Sequence, residues 1–228
     1  RAFRLYAHTT HRAAARAAEA VVCVSETTAG DVRELWGVGA GRIVVAPHGP
    51  GQELGGRERE RTHFLYVGDS EPRKNLPVLI AAYGSYREIA PQPLPLVLAG
   101  SASAVGAGIG IERHPSRERL AELYSGAVAL IQPSLYEGFG LTALEAMSAG
   151  TPVLAAEVPG LREVCGEAAR YANPQDPAGF AAAMAQISAE PRLREELSER
   201  GRARAAKFSW DGCARAHLDA YSLAQKRA

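Results

Sequence analysis

The chain has 228 residues, 46% hydrophobic and 22% charged, which is ordinary for a globular protein large enough to fold without disulfides or metal. Its 26 Lys+Arg against 25 Asp+Glu give a net charge of +1, too little basic excess for non-specific nucleic-acid or membrane-surface binding. Three scattered cysteines, Cys23, Cys165 and Cys213, show neither CxxC nor Cys/His ligand spacing, and no apolar run approaches the roughly 18 residues that span a bilayer, so reduced thiols and a cytoplasmic setting are expected.

In chain order, residues 1–20 read as an Ala-rich helix and residues 21–24 as a buried strand. Ser25 caps a helix reaching Trp36, with Gly37 and Gly39 ending it. Residues 43–46 are a second strand, followed by Pro47-His48-Gly49-Pro50-Gly51. Residues 51–61 are polar, Gly-rich and charged, the composition of a linker. Beyond it a new alternation starts. Residues 64–67 are a strand, 68–74 a polar loop, 76–89 a helix and 96–99 a strand. Residues 100–110 are a small-residue loop, with a short strand near 109–112. Residues 116–125 are a helix, 128–132 a strand, 138–149 a Gly-opened helix and 152–155 a strand. Helices over 178–188, 192–207 and 210–225 close the chain.

Short apolar strands separated by helices predict an α/β fold: a Rossmann-like parallel sheet with helices on both faces. Ligands of such sheets sit outside the carboxyl ends of the strands. That directs attention to the loops at 68–74, 100–110, 133–140 and 157–160.

Residues 137–145, Glu-Gly-Phe-Gly-Leu-Thr-Ala-Leu-Glu, follow a strand and open a helix. Helix-start amides lack intrahelical partners, and two glycines let a ligand come close, so the segment suits an anion or a polyol. Glu137 and Glu145 are acceptor-only groups that suit a sugar diol; with periodicity alone, Glu145 is equally a solvated surface residue. Arg73 and Lys74 sit in another strand-to-helix loop, where adjacent cations hold a diphosphate or are merely a solvated pair. Arg113 and His114 follow the third strand, where a base can rest or a plain surface loop stand. His48 sits between the halves, and His8 and His11 lie three apart with no third metal ligand.

Residues 137–145 continue as Ala146-Met147-Ser148-Ala149-Gly150-Thr151-Pro152-Val153. This resembles the EGFGLxxLEAMAxGxPV block of GT-B retaining glycosyltransferases of family 4. Phe64-Leu65-Tyr66-Val67-Gly68 followed by Pro72-Arg73-Lys74-Asn75 is similar to that family's donor-diphosphate loop. Val24-Ser25-Glu26, residues 43–49 and Phe208-Ser209-Trp210 resemble the segments entering the donor domain and starting its closing helix.

The resemblance implies a division into the tail of an N-terminal acceptor domain with linker (1–50), a nucleotide-sugar-binding domain (51–207) and a closing helix (208–228). It implies transfer of a hexose from a nucleotide-diphosphate sugar to an acceptor, with retention of anomeric configuration and no metal. Arg73 and Lys74 would neutralise the leaving diphosphate, and Glu137 would face the sugar hydroxyls. Gly68, Gly138, Phe139, Gly140, Leu141 and Thr142 would line the sugar and phosphates, and Glu145 would hold the ribose diol. Base, sugar and acceptor are not readable. The expected partner is an N-terminal acceptor domain, through which any peripheral membrane contact would come, or self-association through residues 1–47. The alternative is a non-catalytic nucleotide-sugar-binding subunit or regulatory module. Three departures from the pattern stand out: Asp69 follows Gly68 where many members carry Arg, Pro159-Gly160 replaces a Gly-Gly pair before a helix at 162–164, and, the largest, of the acceptor domain only what resembles its tail, residues 1–47, is expected here.

Overall fold

The structure, a computed structural model, describes residues 2–51 and 59–226, with side chains from residue 9 onward. Residues 52–58 of the expected linker, and the side chain of His8, lie outside the described residues. In chain order the elements are α1 (Ala2–Ala17), β1 (Val21–Cys23), α2 (Glu26–Trp36), β2 (Ile43–Val45), β3 (His63–Gly68), α3 (Leu76–Ile89), β4 (Leu96–Gly100) and β5 (Ile109–Arg113). They continue with α4 (Arg117–Ser125), β6 (Ala127–Gln132), α5 (Leu141–Ser148), β7 (Val153–Ala156), α6 (Pro159–Cys165) and β8 (Arg170–Ala172). Three helices follow: α7 (Pro177–Ala189), α8 (Pro191–Ala205) and α9 (Trp210–Gln225).

The described residues within Arg1–Gly49 and Phe208–Ala228 form one compact unit, and those within Pro50–Lys207 a second. In the first, β1 and β2 pair in parallel, Val21 opposite Ile43. Ser25 caps α2 as its sequence requires, its Oγ accepting from the Thr28 amide at 2.9 Å. Gly37 alone ends the helix, and Gly39 precedes a 3₁₀ turn instead. Ala15, Cys23, Ala29, Val32 and Val38 form the core. His48 stacks on Trp210 of α9, ring centroids 5.1 Å apart.

The second unit is a six-stranded sheet in the order β5-β4-β3-β6-β7-β8, every pair parallel. The strands run outward from β3 to β5 in one direction and from β6 to β8 in the other. Crossovers between parallel strands are right-handed as a rule, so connections running in opposite directions place helices on both faces, the predicted architecture. Burial follows sheet position. The all-apolar β6 and β7 are buried throughout, whereas β5 is half-buried or exposed along its length, as an edge strand can be.

Two further features differ from the sequence reading. β8 was not expected, because Arg-Tyr-Ala carries no apolar run; its place comes from pairing with β7, Ala155 opposite Tyr171. Pro159 and Gly160 do not precede a helix but form the first turn of α6, proline occupying a position where its missing N–H costs nothing.

Candidate functional site

Strand order reverses between β3 and β6, and in doubly wound sheets the ligand crevice lies at the carboxyl ends of the strands at that point. Two loops meet there. After β3, the Asp69 carboxylate accepts from the Glu71 amide at 3.0 Å, and residues 72–74 form a 3₁₀ turn. Asn75 takes the left-handed conformation (φ 57°) and begins α3. Its Nδ2 donates to the carbonyls of Pro133 at 3.0 Å and Pro174 at 2.7 Å. The Leu135 amide donates to the Arg73 carbonyl at 2.8 Å, tying the loop after β6 to the loop after β3.

Glu137 sits at this junction. Lys74 Nζ donates to its Oε1 at 2.8 Å, Ser134 Oγ to the same oxygen at 2.8 Å and Gln132 Nε2 at 3.1 Å. Among the described residues, its Oε2 receives Arg73 Nη1, at 3.4 Å. Arg73 also bonds Glu71, Nε to Oε2 at 2.9 Å. Burial pushes the Glu137 carboxyl up, but the Lys74 ammonium, with the Ser134 and Gln132 donors, outweighs it and holds the group below its ordinary value. Lys74 is 13% exposed and Glu137 8%, so Lys74 is not the solvated loop cation that one reading of the pair allowed. Arg73, at 44%, remains half-exposed.

The loop then delivers α5. Gly140 precedes the helix and offers no side-chain cap, so the amides of Leu141, Thr142 and Ala143 have no intrahelical acceptor. Phe139 is buried, while Gly138, Leu141 and Thr142 are half-buried. Gly160 of α6 is pressed against this loop: a Cβ there would collide with the Glu137 carbonyl oxygen and lie 2.9 Å from its carbon. Pro159-Gly160 thus supports the backbone of Glu137.

Glu145, one and a half turns into α5, is buried and not the solvated surface residue that periodicity also permitted. Tyr124, fully buried at the end of α4, donates its hydroxyl to Glu145 Oε2 at 3.0 Å. Burial raises the Glu145 carboxyl above its ordinary value, and the Tyr124 hydroxyl opposes the rise. Oε1 faces the backbone of Gly51, where a Cβ would strike it.

The structure therefore brings Arg73, Lys74 and Glu137 into one hydrogen-bonded cluster beside the start of α5. Gly68, Gly100 and Arg113 lie in register across neighbouring strand ends. Arg113 is the last residue of the edge strand β5 and not, as expected, in the loop after it; His114 follows it, both are exposed, and no described hydrogen bond or ion pair joins either to the Glu137 cluster. Sequence reasoning missed Gln132, Ser134 and Tyr124. For Gln132 a signal existed, a polar residue ending the otherwise apolar run Ala-Val-Ala-Leu-Ile. For Tyr124 there was none, since an aromatic residue on a helix reads as core. Among the described residues no three His, Cys, Asp or Glu side chains are grouped as metal ligands, and no helix is long and apolar enough to cross a membrane.

Residues 55–204 match the family described as glycosyl transferases group 1. The chain is 32% identical over 232 residues to the O-antigen chain mannosyltransferase B of Escherichia coli, covering 90% of this chain and 61% of that protein. It is 31% identical over 247 residues to the D-inositol 3-phosphate glycosyltransferase of Acidothermus cellulolyticus, covering 92% of this chain and 55% of the relative. It is similar in structure to the sucrose-phosphate synthase of Thermosynechococcus elongatus, with a TM-score of 0.81 at 27% identity over 97% of this chain and 62% of that one. The chain thus spans less than two thirds of the length of these relatives, and within that span it belongs to the group 1 glycosyltransferases.

Proposed function

We propose that this chain is the donor-binding half of a retaining, family 4 glycosyltransferase that uses a nucleotide-diphosphate sugar without a metal. One observation carries the reading: Arg73 and Lys74 and an uncapped helix start flank the same switch point of a parallel sheet. Helix amides and a cation pair together suit a diphosphate, the helix through its partial positive charge and Arg and Lys through full charges.

In this reading Arg73 and Lys74 balance the charge that develops on the diphosphate as the sugar–oxygen bond breaks, a role a metal fills in other sugar transferases. Glu137, its Oε1 saturated by three donors, turns the other oxygen to the transferred sugar's hydroxyls. Glu145 receives the ribose diol. The sugar is a hexose, as the names of the mannosyltransferase relative and the sucrose-phosphate synthase suggest. An N-terminal domain supplies the acceptor side, so the isolated chain binds donor but transfers sugar slowly or not at all.

Calorimetry with UDP, GDP, ADP, their sugar derivatives and the bare nucleosides tests the reading. One nucleoside diphosphate should bind, with an affinity that falls as salt rises, and Glu145→Ala should weaken it by about 1.5–3 kcal/mol. A folded chain that binds none of these probes overturns the proposal.

A further inference from the structure

The assignment of Glu145 to a ribose diol leaves open what keeps a buried carboxylate ionised and aimed. A carboxylate has room for about four hydrogen bonds. In this chain Glu145 is 8% exposed and its described protein hydrogen bond is the one from Tyr124, at 3.0 Å to Oε2. The elements packed against α5 include β6, β7, α6 and α8. Among the described residues none presents a charged group to Glu145, whose surroundings act on it through burial and Tyr124. Glu137 is the contrast. It is equally buried but is held by an ammonium, a hydroxyl and an amide on one oxygen.

Tyr124 is placed for one task. Its ring is fully buried, its hydroxyl reaches Glu145, and its backbone carbonyl accepts from Thr151 Oγ1 at 2.7 Å, which anchors the residue from the far side of α5. Burial drives the phenol well above its ordinary range, so it stays protonated and can only donate to the carboxylate.

We propose that Tyr124 is a positioning residue for donor binding: its hydroxyl clamps Oε2 of Glu145 and leaves Oε1 turned toward Gly51 to accept a ribose hydroxyl. The proposal rests on the reading of Glu145 as the ribose acceptor, and it adds the residue on which that contact depends. A hydrogen bond to the charged form favours that form. Tyr124 therefore extends the pH range over which Glu145 is an acceptor, against the pull of burial.

The test uses the full chain with ¹³C-labelled Glu Cδ and Tyr Cζ, resonances being assigned with Glu145→Gln. In the ligand-free protein, Tyr124→Phe should move the Glu145 titration midpoint to higher pH. In parallel, affinities are measured for UDP, GDP and ADP and for their 2′,3′-dideoxy analogues, which carry neither hydroxyl of the diol. Tyr124→Phe should weaken the ribonucleotide by between about twofold and tenfold and leave the dideoxy analogue unchanged, because only the diol uses the clamp. A Glu145 midpoint equal to wild type, or equal weakening of both probes, overturns the proposal; the second pattern is that of a purely structural tyrosine. Should Tyr124→Phe fail to fold, the wild-type chain decides: the Tyr124 Cζ resonance should follow the Glu145 titration, and a flat response overturns the clamp. If no nucleoside diphosphate binds wild type, the ribose assignment falls and the diol part of the proposal with it, while the two resonances still decide whether Tyr124 holds Glu145.

Discussion

Replacing Lys74 by Met should destabilise the second unit, although the residue sits in a loop. Met keeps most of the aliphatic stem and deletes the ammonium. Lys74 and Glu137 are 13% and 8% exposed and their charged atoms are 2.8 Å apart, so the variant strands a buried carboxylate. Removing one partner of a buried pair costs about 3–5 kcal/mol. Part of that is recovered here, because Ser134 and Gln132 still donate to Oε1 at 2.8 and 3.1 Å, each worth about 1 kcal/mol. The half-exposed Arg73, 3.4 Å from Oε2, adds little. The net expectation is a loss of about 1–3 kcal/mol at pH 7.

The loss should also depend on pH. In wild type the folded-state pKa of Glu137 is depressed, so its contribution is present above the unfolded value and lost as pH falls through the folded one. Without Lys74, burial dominates and the folded pKa rises above the unfolded value, so the variant recovers as acid neutralises the carboxyl. The difference should therefore shrink as pH falls, first as the variant's raised carboxyl is neutralised and then, below the unfolded value of about 4.3, as wild type loses its own contribution. The double variant Lys74→Met, Glu137→Gln should regain most of the neutral-pH deficit. Urea unfolding is best followed by far-UV circular dichroism, since both tryptophans, Trp36 and Trp210, lie in the other unit. A Lys74→Met chain as stable as wild type at pH 7, or a deficit that does not change with pH, refutes the reasoning.

Glu137→Gln alone should tighten binding of the bare nucleoside diphosphate severalfold, because Glu137 competes with the phosphates for Lys74 and Arg73; calorimetry showing weaker binding would mean that Glu137 contacts the nucleotide itself. Gly160→Ala should cost about 1–3 kcal/mol in the same urea assay, since the new methyl meets the Glu137 backbone rather than a side chain that can swing away.

Much of this molecule was legible in local pattern. The helix at Leu76–Ile89 has the predicted bounds, Ser25 caps α2 as its position before the helix requires, and the apolar run at Ala127–Gln132 is a strand buried along its whole length. Each of these depends on a few consecutive residues, and hydrophobic periodicity and cap chemistry act over that range. The strand at Arg170–Ala172 was not legible, because a three-residue edge strand is defined by the neighbour it pairs with and not by its own side chains. The same limit applied to the site. The sequence marked Arg73, Lys74, Glu137 and Glu145 as residues able to bind a phosphate or a diol, but not how they are held. Lys74 reaches Glu137 across 63 residues, and Tyr124 reaches Glu145 from a different helix. Only the strand order, with its reversal between β3 and β6, brings the first pair together. Burial then decides the electrostatics: a carboxylate taken out of water is set by the donors that follow it into the interior, and those donors are neighbours in space, not in sequence.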